Sequence, residues 1–179
     1  VGDLYFKLSH YTHARDAFKR CTSILAKFFT RHDLMTRCNV RLGFVHYKLN
    51  QFKEAVEVLE KEVNKPGEME KVFSDVLELS DMYLNLGNAC MYLKNPQKSE
   101  LYYKKAIDTI KGAWQANKDA SAAAANIPNN TKLGELLYSL AVVYTSQREQ
   151  HKLAESIIDD AMQIFNYELF TKKPAPIEQ

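Results

Sequence analysis

The sequence predicts an all-α protein made of antiparallel helix pairs stacked as a solenoid. Two observations predict it. One spaced pattern of small and large residues recurs four times along the chain. Gly and Pro number only 6 and 5 among 179 residues, few for an all-β chain with its many turns.

The recurring pattern begins with Leu-Gly or its equivalent and continues with a small residue about twelve positions later. Leu42-Gly43-x-x-His46 is followed by Ala55 and Leu59, and Leu86-Gly87-x-x-Cys90 by Ser99, Tyr103 and Ala106. Val1-Gly2-x-x-Tyr5 is followed by Ala14, Phe18 and Cys21, and Leu140-Ala141-x-x-Tyr144 by Ala154, Ile158 and Ala161. Two antiparallel helices, A and B, explain this spacing. Gly2, Gly43, Gly87 and Ala141 leave room on helix A, and Ala14, Ala55, Ser99 and Ala154 leave room on helix B. Phe18, Leu59, Tyr103 and Ile158 lie one turn further on the same face and fill the groove.

Turn signals separate the two helices of each pair: Ser9-His10, Asn50-Gln51, Asn95-Pro96 and Arg148-Glu149-Gln150. Helix A1 is expected over residues 1–8 and B1 over 11–29. A2 follows over 33–49, with Asp33 as N-cap, and B2 over 52–64. Lys65-Pro66-Gly67 breaks the chain. A3 is expected over 68–94 and B3 over 96–117, where Pro96 suits a first helical turn because its missing N–H costs nothing there. Residues 118–131 read as a loop, stopped by Pro128-Asn129-Asn130. A4 is expected over 132–147 and B4 over 151–169, before a tail with two prolines. The repeats are therefore placed at about 1–29, 33–64, 68–117 and 132–169 of a single domain. The opening at Val1, inside what reads as a helix end, predicts a fragment of a longer protein.

This pattern resembles the tetratricopeptide repeat family over nearly the whole chain. The resemblance implies a right-handed superhelical solenoid whose concave wall is lined by A helices. The small positions stand 41, 44 and 54 residues apart instead of 34, which predicts long B1 and A3 helices and an insertion before the fourth repeat. Asn85-Leu86-Gly87-Asn88 is similar to the longer-repeat branch of kinesin light chains and Leu-Gly-Asn repeat adaptors.

On each A helix the resemblance implies a ligand-touching stripe. It holds Arg37, Arg41, Phe44 and Lys48 in repeat two, with Tyr47 at its edge. It holds Asp81, Asn85, Asn88 and Tyr92 in repeat three, and Glu135, Ser139, Val142 and Ser146 in repeat four. The asparagines offer donors and acceptors to a peptide backbone, the aromatic residues offer anchors, and the cations can receive acidic side chains or phosphate. An ordinary solvated helix face is the alternative. The carboxylate-gripping subclass of the family is not expected. Its cation and asparagine positions would fall on Val40, Phe44, Asn85, Glu135 and Ser139, and an acid there opposes a carboxylate.

The net charge of +2 argues against nucleic-acid binding, and no apolar run approaches the ~20 residues of a membrane span. Charge is uneven: residues 1–65 carry 12 Lys and Arg against 7 Asp and Glu. The first half is thus the expected docking side for an acidic partner, unless it is simply a solvated basic face. Three cysteines without a CxxC, each in a helical pattern, predict no disulfide framework or zinc site and a reducing, cytoplasmic setting. No HExxH, GxSxG, GxxxxGK[ST] or GxGxxG is present, and no cofactor is expected. His10 and His13 make a poor metal pair, and His46 reads as a buried packing residue. The expected function is a non-enzymatic protein-interaction scaffold or adaptor that holds an extended peptide or helix of a partner. A structural subunit contacting through its ends, loop or convex surface is the alternative. An accessory domain of a larger enzyme is a third.

Overall fold

Eight helices run along the residues that the computed structural model describes, which are 1–28, 32–65, 73, 75–119, 130–147 and 150–171. They are α1 (Gly2–Lys7), α2 (Tyr11–Phe28), α3 (His32–Lys48), α4 (Phe52–Val63), α5 (Val76–Tyr92), α6 (Pro96–Asp119), α7 (Asn130–Thr145) and α8 (His151–Thr171). Each helix packs on its successor, and α3 also meets α5, so the second and third A helices lie side by side. The all-α fold of stacked helix pairs is the one expected, with most ends moved by one or two residues.

The start of α5 is the exception. Asp75 is extended (φ −99°, ψ 114°), and its carboxylate accepts from the Leu77 N–H at 2.8 Å. This side-chain cap starts the helix eight residues later than expected. The third A helix is therefore 17 residues long, the same as α3, and the 44-residue spacing is taken up between Val63 and Val76. Asp33 lies inside the first turn of α3 instead of capping it; a carboxylate there still favours the positive helix end. The Lys65-Pro66-Gly67 break beyond Lys65, most of the 118–131 loop and the tail after Thr171 lie outside the described residues.

Three A-to-B turns share one backbone solution. Ser9, Asn50 and Lys94, each seven residues after its glycine, are left-handed at φ 59°, 59° and 58°. The following N–H reaches back to Tyr5, His46 and Cys90 in turn, at 2.9 Å in each case. These are paired C-terminal bonds of the Schellman type.

The glycines place large side chains. A Cβ on Gly2 would stand 2.8 Å from the Phe18 ring, one on Gly43 2.5 Å from Leu59, and one on Gly87 2.5 Å from the Tyr103 ring. Ser99 Oγ donates to the Gly87 carbonyl at 2.8 Å, so α6 is also hydrogen-bonded to α5 at their closest approach. Gly134 on α7 makes a further such contact with Phe165 of α8. The main core runs from Val40 and Leu59 through Met82, Leu86 and Ile110 to Leu136 and Val143. His46 is buried and bonds Gln51 through Nδ1 at 2.7 Å. Glu62 is buried too, bonded to Asn39 at 2.7 Å and Lys65 at 2.6 Å.

Candidate functional site

An open cleft of about 420 Å³ lies across three successive A helices. Tyr47 of α3, Asn88, Met91 and Tyr92 of α5, and Tyr138, Ser139 and Val142 of α7 line it, with Tyr103 of α6 at its floor. None of these side chains carries a formal charge at neutral pH. Tyr92 and Tyr138 are 65% and 57% exposed, and Val142 is also exposed. Phe52, at the start of α4, stacks on Tyr92 with centroids 4.2 Å apart and planes at 6°. Tyr47 leans on the same Phe52 at 5.8 Å. Two of the three A helices that line the cleft, α3 and α5, are thereby tied together through one ring.

The floor is a hydrogen-bonded unit. Tyr103 donates its hydroxyl to Asn88 Oδ1 at 2.5 Å, which leaves the Asn88 Nδ2 as a donor to the cleft side. Burial pushes the Tyr103 phenol up to about 12. Burial also raises Tyr47; its neighbour Tyr92 adds to the rise, and the Asn88 amide opposes it. All the cleft phenols so described are neutral donors at physiological pH, suited to carbonyl acceptors.

The sequence profile of the tetratricopeptide repeat matches residues 36–61 and 80–110, that is, the α3–α4 and α5–α6 pairs. These two helix pairs carry tetratricopeptide repeat sequence. Among solved structures, the apo form of RapI superposes with a TM-score of 0.67 at 15% identity, over 94% of this chain and 54% of that one. The chain thus spans about half the length of RapI. BtubC from P. vanneervenii matches with a TM-score of 0.52 at 16% identity, over 99% of this chain and 82% of that one. Such identities speak for the fold alone. The TPR-like repeats of a Podosopora anserina putative kinesin light chain match at 0.41 and 16% identity, over 91% and 90% of the two chains, which is too loose to bear on the long-period branch. No curated protein matches the sequence.

Within these stacked helix pairs, the sequence-derived stripe splits in two. Tyr47, Asn88, Tyr92 and Val142 converge on the cleft, together with Ser139. Three of the charged members, Arg41, Asp81 and Glu135, lie further towards the helix starts and are held in ion pairs with residues outside the stripe. Arg41 bonds Glu78 at 2.6 Å and Asp3 at 3.4 Å, which links α1, α3 and α5. Lys132 bonds Asp81 at 2.6 Å and Glu135 at 2.9 Å, which links α5 and α7. Asn85 donates to its own Asp81 carbonyl at 2.8 Å. Lys48 is exposed and stands 5.9 Å from the Tyr47 ring centroid; Arg37 is exposed on α3.

Phe44 requires correction. It was expected on the ligand face, but it is only 8% exposed and belongs to the main core. Its ring belongs with Val40, Leu59 and Met82 to the core between the helix pairs. Met91, Tyr103 and Tyr138 line the cleft without being among the expected site residues, and Phe52 supports it from behind Tyr92. Tyr138 was legible in principle, since it precedes Val142 by four and follows Glu135 by three, on one helix face. Its counterparts one and two repeats earlier, Leu84 and Val40, are buried core residues, and that position reads as packing. Among the described residues, no three His, Cys, Asp or Glu side chains gather closely enough to hold a metal ion, and no helix is long and apolar enough to cross a membrane.

Proposed function

We propose that this repeat protein is a non-catalytic scaffold that holds an extended segment of a partner protein in the tyrosine cleft. The observation that carries the reading is the uncharged, aromatic lining contributed by three consecutive A helices. Apolar or aromatic side chains of the segment would lie between Tyr47, Tyr92 and Tyr138. Its backbone carbonyls would accept from phenol O–H groups and from Asn88 Nδ2. Aromatic anchors in a preformed cleft give contact area at low entropic cost. Arg41 is already held by Glu78 and Asp3, so an acidic flank of the partner would meet Lys48 at the rim instead.

Affinity purification with the full-length protein tests this. Tyr92→Ala and Tyr138→Ala, alone and together, should remove the partner while circular dichroism stays helical. Undiminished recovery with the double variant would reject the cleft.

A second reading, assembly through the first helix pair, has its own observation. Leu4, Leu8 and Ile24 are all more than half exposed on the first helix pair. An Ile24→Glu variant that loses the partner while the cleft variants retain it would favour that reading.

A further inference from the structure

We propose that Cys21 and Cys38 form a reversible dithiol site, which a small disulfide of the glutathione class oxidises to a bond stapling the first repeat to the second. The two sulfurs stand 3.0 Å apart, one on α2 and the other on α3. They need to approach by about 1 Å to reach the ~2.05 Å of a disulfide, within the reach of small side-chain rotations. Both residues are half-buried. Cys90, by contrast, is buried in the core, which makes it an internal control.

Access is asymmetric. Cys21 lines an open cleft of about 550 Å³ with His13, Asp16, Arg20 and Ile24. A small anionic disulfide can enter there, with Arg20 available to its carboxylates. Cys38 is pushed up to about 12, first by burial, then by its S–H contact with Cys21, the charge of Cys21 and that of Asp3. Cys21, the one of the pair that lines the open cleft, is the attacking sulfur. Its thiolate attacks one sulfur of the small disulfide, forming a mixed disulfide and releasing one small thiolate. That modification removes the charge and the acceptor that help to hold the proton on Cys38. Cys38 then gives up its proton to the released thiolate and attacks the Cys21 sulfur, expelling the second small thiolate. Two protein thiols and one small disulfide become one protein disulfide and two small thiols. The bond joins α2, the B helix of repeat one, to α3, the A helix of repeat two.

The test uses the full chain in glutathione buffers from fully reduced to fully oxidised, followed by thiol titration and non-reducing peptide mapping. Oxidation should remove two of the three titratable thiols, link the Cys21 and Cys38 peptides within one chain, and reverse completely in reduced glutathione. Cys38→Ser should instead hold one glutathione at Cys21, and Cys21→Ser should leave Cys38 unmodified over the same time. A wild-type chain that keeps three free thiols in fully oxidised buffer overturns the proposal whatever the variants do. So does a bond that joins two chains or includes Cys90. Unchanged helical circular dichroism of the wild type in both buffers excludes oxidation through unfolding; its loss on oxidation overturns the proposal as well.

Discussion

Tyr103 donates its hydroxyl to Asn88 Oδ1 at 2.5 Å across the contact of α5 with α6. The same ring covers Gly87, one residue earlier on α5. The residue that closes the third helix pair therefore also orients the amide at the floor of the cleft. Packing and recognition share one side chain.

Gly87→Ala should expose that link. Its Cβ would stand 2.5 Å from the Tyr103 ring, and overpacking of this kind costs about 1–3 kcal/mol. A Cβ on Gly112 of α6 would meet nothing within 4 Å, so Gly112→Ala should gain about 0.5–1 kcal/mol of helix propensity. Urea denaturation with an unchanged slope measures both. Equal effects at the two glycines would contradict the close-approach account.

Lys94→Gly should also stabilise the protein. Lys94 holds φ 58° at the end of α5, a conformation that costs a side-chain-bearing residue about 1–2 kcal/mol. Part of the relief is lost to the greater freedom of glycine in the unfolded chain. The expected net gain is about 0.5–1 kcal/mol, read as a higher urea midpoint.

Glu62 separates a buried hydrogen bond from a partly exposed ion pair. Glu62→Ala removes the acceptor for Asn39 and the partner of Lys65, and should cost about 2–3 kcal/mol. Glu62→Gln keeps an oxygen for Asn39 and loses only the pair with Lys65, whose side chain is 34% exposed, so its cost should be about 1 kcal/mol or less. Chemical denaturation of the two variants side by side checks the ratio.

The helix pairs were legible in the sequence because small and large residues recur at fixed offsets, and that spacing has one packing solution. The cleft was legible in part. Asn88, Tyr92 and Val142 sit on a regular helical stripe, so periodicity found them. Phe44 occupies the same stripe but is buried in the main core, and burial of a groove position depends on the neighbouring elements, which periodicity does not describe. Tyr138 was hidden for the converse reason: its equivalents, Val40 and Leu84, are core residues. The late start of α5 had one local signal, Asp75 as a side-chain cap, but neither Pro nor Gly beside it marks a break in the helical pattern. The Cys21–Cys38 approach joins helices from different repeats and has no local signature.

Alkaline titration reads the buried phenols. Burial raises Tyr102 and takes Tyr103 to about 12, against about 10 in an unfolded chain. Between these values the unfolded chain has released protons that the folded chain retains, so stability falls as pH rises. It should be intact below about pH 10 and decline from there towards 12. Phenolate absorbance should show these two tyrosines ionising together with the loss of helical circular dichroism. Full ionisation of all ten tyrosines in a chain that stays helical would contradict their burial.

Site-specific photo-crosslinking tests the cleft most directly. A benzoylphenylalanine in place of Tyr138 stands in the cleft, whereas one in place of Met162 on α8 is equally exposed but away from it. The account predicts that the Tyr138 probe in the full-length protein captures one continuous segment of a partner protein, and that Tyr92→Ala in the same chain suppresses the capture. Capture at Tyr138 no greater than at Met162, or capture insensitive to Tyr92→Ala, would contradict it.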